Sequence, residues 1–133
     1  MPSDQLYLQH LMSTASYDAA AKDRFGTAAK TLMRRLAKRL GSQYGVIDPI
    51  RWNRGGIAVS GEVTLHADKV YIQVQQGFGG PTHAILFRTC KGRKDYSGGM
   101  NNFAPMALLI DTEALARHIE GRCPFLLYEG LQK

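Results

Sequence analysis

Residues 57–90 read IAVSGEVTLHADKVYIQVQQGFGGPTHAILFRTC, and this stretch decides the fold. Ile57, Val59, Val63 and Leu65 alternate with Ala58, Ser60, Glu62, Thr64 and His66, which predicts a strand over 57–66 with one buried face. Gly61 takes one of the inward slots, the signature of a bulge or a close backbone approach. Ala67, Asp68 and Lys69 make a turn. Val70, Ile72 and Val74 then alternate with Tyr71, Gln73 and Gln75 in a second strand, 70–76, and the shared period of two predicts an antiparallel hairpin. Gly77-Phe78-Gly79-Gly80-Pro81 breaks the chain. A third strand spans 83–90, and its Ala84-Ile85-Leu86-Phe87 run predicts a position that is central or covered on both faces.

Upstream, the spacing changes from two to 3.6. Phe25, Ala29, Leu32, Leu36 and Leu40 recur at steps of four, three, four and four, so residues 16–40 form a long helix with one apolar face. Ser16 is its candidate N-cap, Gly41 its C′ residue, and Gly26 an internal weak point worth up to about 1 kcal/mol relative to Ala. A shorter helix capped by Ser3 or Asp4 runs to Met12, with Leu6, Leu8, Leu11 and Met12 as its apolar positions. Residues 41–56 are connective, and Trp52 within them reads as a core plug rather than an exposed aromatic beside Arg51 and Arg54.

Downstream, residues 91–105 form a long polar loop. A second helix occupies 111–120, burying Leu115 and Ile119 and ending at Gly121 before Pro124. Phe125–Tyr128 is a last short strand or a docking tail. The whole is one α+β domain, 1–133, with an antiparallel sheet of three or more strands, one long N-terminal helix and a second C-terminal helix. Its expected core is Phe25, Leu32, Leu36, Leu40, Val59, Val63, Leu65, Val70, Ile72, Val74, Ile85, Phe87, Leu115 and Ile119.

Composition fits that size. A chain of 133 residues buries about two-thirds of its unfolded surface in one core. At 44% apolar and 21% charged residues it is not a disordered polymer. No apolar run is long enough to span a bilayer, and residues 1–15 lack a basic n-region, so the expected compartment is the cytoplasm. Cys90 and Cys123 form no CxxC pair and read as two buried free thiols.

Known chemistries find little purchase. His10, His66, His83 and His118 show neither HxxxH nor HxH spacing, so no metal or other cofactor is expected. Glu62 is the only acid within the expected strands, and there is no P-loop, GxSxG or HExxH. One catalytic alternative is a small hydrolase or transferase using Cys90 with His66 or His83, because Lys91, Arg93 and Lys94 follow the thiol and would favour its thiolate.

The charge balance points to binding instead. Seventeen Lys and Arg against eleven Asp and Glu give +6, which suits a polyanionic partner. Between residues 22 and 39 seven cations face one acid, Asp23, and Arg24, Arg34, Arg35 and Lys38 project away from the apolar stripe. A second cluster, Arg88, Lys91, Arg93 and Lys94, sits beside glycines and Asp95, with the make-up of an amide nest and clamp; Asp95 is expected to pair with Lys94 or Arg93. Both clusters fit nucleic acid or a nucleoprotein complex contacted without strong sequence preference. The protein-partner alternative is an inhibitor or accessory module, including one from a mobile element, docking on an acidic or nucleoprotein surface. The wet sheet face offers Thr64, His66, Tyr71, Gln73 and Gln75, with one aromatic where RNA-binding sheets stack bases on two or three. That face serves equally as a protein-binding surface or as the floor for the second helix.

Overall fold

The computed structural model describes residues 4–77, 79–96 and 98–123. Among them, three α-helices, α1 (Asp4–Met12), α2 (Ala19–Leu40) and α3 (Thr112–Arg122), accompany five strands, β1 (Arg51–Asn53), β2 (Glu62–His66), β3 (Val70–Gln75), β4 (Ile85–Thr89) and β5 (Asn102–Ala104). All neighbouring strands pair antiparallel, in the order β1-β2-β3-β4-β5. The α+β class with a long N-terminal and a C-terminal helix holds, and the sheet has five strands. The expected Phe125–Tyr128 element lies outside the described residues.

The start of α2 differs from the expectation. Asp18, not Ser16, caps α2: its backbone is extended and its Oδ1 accepts the Ala21 N–H at 3.0 Å. A carboxylate there also meets the positive end of the helix dipole. In α1 the buried side chains are Tyr7 and Leu11, while Leu6 and Met12 face out. Gln76, just after β3, fastens the α1–α2 connection. Its Nε2 donates to the carbonyls of Leu11 and Ser13 at 2.8 and 2.7 Å, and its Oε1 accepts from Ala15 N–H at 2.9 Å. Asp111 caps α3 through the Ala114 N–H, and Gly121 lies inside its last turn instead of ending it.

The 57–66 strand is shorter than its alternation suggests. β2 begins at Glu62; Ile57 and Val59 are 67% and 50% exposed, so Val59 leaves the expected core. The chain bends at Gly61, whose φ is +78°, and a Cβ there would lie 2.6 Å from the Asn53 carbonyl oxygen. The close approach arises because the segment before the bend returns along β2. Arg51, Trp52 and Asn53 pair with Thr64, Val63 and Glu62, and Ile47 bridges Ala67. Part of the expected 41–56 connection thus covers a sheet edge that would otherwise expose unpaired backbone groups. Likewise Asn102–Ala104, inside the expected loop, pairs with β4 as the other edge. β4 is an inner strand, yet only one of its faces is covered: Ile85 and Phe87 are buried, Leu86 is half-buried, and Pro81–His83 before it forms a 3-10 turn.

The apolar sheet face (Val63, Leu65, Val70, Ile72, Val74, Ile85 and Phe87) meets Phe25, Leu32, Leu36 and Leu40 of α2 in one core. Leu115 and Ile119 of α3 join it, and His118 packs edge-on against Phe87. The helices therefore share one side of the sheet. Trp52 is half-buried against this core and lies over Gly26, where a Cβ would come 2.0 Å from its ring. Arg54 covers the ring at 4.0 Å from its centroid, so the tryptophan is both a plug and a cation platform.

Candidate nucleic-acid interface

The seven cations of α2 separate by what they touch. Lys22 is buried and donates to the Gly56 carbonyl at 2.8 Å. Arg39 bridges to α3, donating to Glu113 at 2.7 and 3.0 Å and to Glu120 at 3.1 Å. Arg35 is half-buried over the Tyr7 ring, with Asp4 at 3.6 Å. Arg24, Arg34 and Lys38 are exposed and Lys30 is half-exposed; among the described residues none of these four has a carboxylate within ion-pair distance. At 100° per residue, positions 24, 27, 31, 34 and 38 fall on one stripe opposite the buried Phe25/Leu32/Leu36 face. The stripe is about 21 Å long from Arg24 to Lys38.

The 88–94 cations take several directions. Arg93 donates to Asp48 at 2.9 Å and Asp68 at 3.1 Å. Asp95 does not take Arg93; its Oδ2 accepts the Lys91 N–H at 2.9 Å, so that loop amide already has an anion. The Lys91 and Lys94 side chains are exposed. Arg88 belongs to the sheet: its guanidinium lies 4.6 Å from the Tyr71 ring centroid and donates to the Tyr96 carbonyl, while its buried Nε has no partner among the described residues.

The sheet face away from the helices is set by strand register. One row crosses all five strands: Arg51, Thr64, Gln73, Leu86 and Phe103. On one side of it lie His66, Tyr71 and Arg88, on the other Asn53, Glu62 and Gln75. Tyr96, from the β4–β5 loop, leans onto the first of these: its ring is 5.1 Å from His66 and 6.3 Å from Tyr71, which are 4.9 Å apart, all edge-to-face. His66 Nε2 is 3.0 Å from the Gly92 carbonyl, which anchors the loop. Tyr71 donates to Gln73 Oε1 at 2.8 Å, and burial, then Glu62, pushes its hydroxyl pKa up. Beside the cluster opens a recess of about 500 Å³ lined by Arg51, Trp52, Asn53, Glu62, Thr64, Tyr71 and Tyr96.

Sequence reasoning found Tyr71, His66 and the amides of this face but missed Tyr96, Arg51 and Phe103. Tyr96 sits in a loop without periodicity, and the strands carrying Arg51 and Phe103 are three residues long, too short to show alternation.

Cys90 and the histidines place their hydrogen bonds elsewhere. The Cys90 thiol donates toward the Ala67 and Asp68 carbonyls at 3.3 and 3.6 Å, and burial raises its pKa despite the nearby cations. His83 lies before β4, at the opposite end from Cys90, against Thr82 and Phe103. Among the described residues no three His, Cys, Asp or Glu side chains converge as a metal site, and no helix is long and apolar enough to cross a membrane. No family model matches the chain, and no curated protein or solved structure shows significant similarity to it.

Proposed function

We propose that the protein is a small basic binding protein that contacts nucleic acid, or the nucleic-acid-facing part of a nucleoprotein complex, without strong sequence preference. The observation that carries this reading is the outer stripe of α2: Arg24, Arg34 and Lys38 on one side of a 22-residue helix, without carboxylate partners among the described residues. Four other arginines, Arg39, Arg54, Arg93 and Arg117, are held by carboxylates. A solvated helix face usually mixes signs; this one presents cations along its length. Such cations gain affinity by releasing counterions condensed on phosphates, whatever the base sequence. The buried, hydrogen-bonded Cys90 thiol supports binding rather than nucleophilic chemistry.

Salt-titrated binding to a mixed-sequence duplex tests the proposal. Log K should fall linearly with log salt. Replacing Arg24, Arg34 and Lys38 together with Ala should make that slope shallower by roughly 2 to 3, at about 0.9 for each phosphate that is no longer neutralised. No binding of duplex or single strand at about 50 mM salt overturns the reading and leaves the stripe as a docking surface for an acidic protein.

A further inference from the structure

We infer that the open face of the sheet is a binding site for unpaired nucleobases, so that single-stranded nucleic acid is the preferred polyanion; this rests on the nucleic-acid reading above. Sequence-independent single-strand binding combines aromatic faces for stacking with cations that track the backbone, and the face has both. Tyr96, 59% exposed, lines the recess, and Tyr71 lies beside it. Tyr71 itself is buried under Arg88, and its edge-to-face contact with Tyr96 holds the exposed Tyr96 ring in place before a base arrives. Phe103, 44% exposed, ends the central row and offers a second stacking position.

The charges of the recess distinguish base from phosphate. Glu62 lines it and repels a phosphate, whereas its carboxylate accepts the amino protons of a base edge. Asn53 and Thr64, also in the lining, add a carboxamide and a hydroxyl for the same edge. Arg51 is exposed at the β1 end of the same row, where it meets the backbone leaving the recess. A base therefore enters and its phosphates stay outside. Because Glu62 offers only acceptors when ionised, cytosine, which presents an amino donor, is favoured over thymine or uracil. A duplex keeps its bases stacked and paired and cannot offer one to Tyr96.

The test measures equilibrium binding of the full chain to oligonucleotides of about 12 residues, within the usual single-strand site sizes. The probes are oligo(dC), oligo(rC), oligo(dT) and a mixed-sequence duplex of equal length; the first two separate DNA from RNA as the source of the base. Single strands should bind more tightly than duplex. Tyr96→Ala should weaken single-strand binding roughly 5- to 150-fold, the loss of one stacked base, and leave duplex binding unchanged. Tyr96→Phe should retain the affinity, and Glu62→Gln should erase the preference for oligo(dC) over oligo(dT). Equal affinity for single strand and duplex, or a Tyr96→Ala loss shared by both, overturns this inference and leaves the helix-stripe reading standing. Failure of every probe to bind at about 50 mM salt overturns both.

Discussion

Gly26 and Trp52 show how a residue that looks like a defect in one element completes another. In an isolated helix, Gly26→Ala would gain up to about 1 kcal/mol of propensity. Here the new Cβ would lie 2.0 Å from Cζ2 of the Trp52 ring, which must move off α2. Overpacking costs typically about 1–3 kcal/mol, so the clash outweighs the propensity gain. The variant should therefore unfold at lower urea concentration, and its emission should shift, because Trp52 is the only tryptophan and reports its own displacement. Unchanged stability and emission would show that the ring does not rest on the helix. Cys90 makes a similar point about chemistry. Cations at Lys91, Arg93 and Lys94 suggest a reactive thiolate, but Arg93 is held by Asp48 and Asp68, and burial is the largest influence on the thiol. Cys123, also buried, is pushed up to about 11. Both thiols should alkylate slowly at neutral pH in the native state and rapidly once unfolded. Fast modification of native Cys90 near pH 6 would restore the nucleophile alternative.

At the scale of the element, periodicity made the long segments legible and left the short ones dark. α2, the β2–β3 hairpin and α3 follow from spacings of 3.6 and 2 because each repeats its pattern over several residues. β1 and β5 carry three residues apiece, and pairing with β2 and β4 makes them strands, a tertiary cause with no local trace. Val59 shows the converse: the alternation continues through Gly61, but the bend there ends the strand. The candidate site divides the same way. Helix geometry placed Arg24, Arg34 and Lys38 outward, whereas nothing in the sequence could say that Arg35 lies on Tyr7 or that Tyr96 joins His66 and Tyr71. The α2–α3 contact has a pH signature of its own. Arg39 and then Arg117 donate to Glu113 and hold its carboxyl pKa at about 2, below the ordinary 4.5. A depressed folded-state pKa means that this contribution to stability is complete above about 4.5 and is lost as pH falls toward 2. Glu113→Gln should remove part of the acid-induced fall in the urea midpoint across that window while leaving Glu120 to hold Arg39. An unchanged acid profile would show that the exposed pair is screened to insignificance.

For the whole molecule, the meander matters because it leaves the two sides of the sheet unlike each other. All three described helices lie on one side, so the cation stripe of α2 faces away from the sheet, and the His66, Tyr71 and Tyr96 cluster faces the other way. One side offers charge with little shape; the other offers rings, amides and a recess holding a carboxylate. Two surfaces without shared side chains should contribute independently. Arg34→Glu with Lys38→Glu should lower both duplex and single-strand affinity, the duplex somewhat more because its phosphates are denser. Tyr96→Ala should lower single-strand affinity alone. In the combined variant the single-strand loss should be the product of the two, to within about a factor of two, the usual limit of additivity for separated sites. Salt separates them further: raising it from about 50 to 200 mM should shrink the charge-reversal effect, which acts through counterions, and leave the Tyr96→Ala ratio nearly constant. A combined loss far short of the product would mean that the ligand uses one side at a time, the helix stripe serving as an alternative landing surface for the same strand.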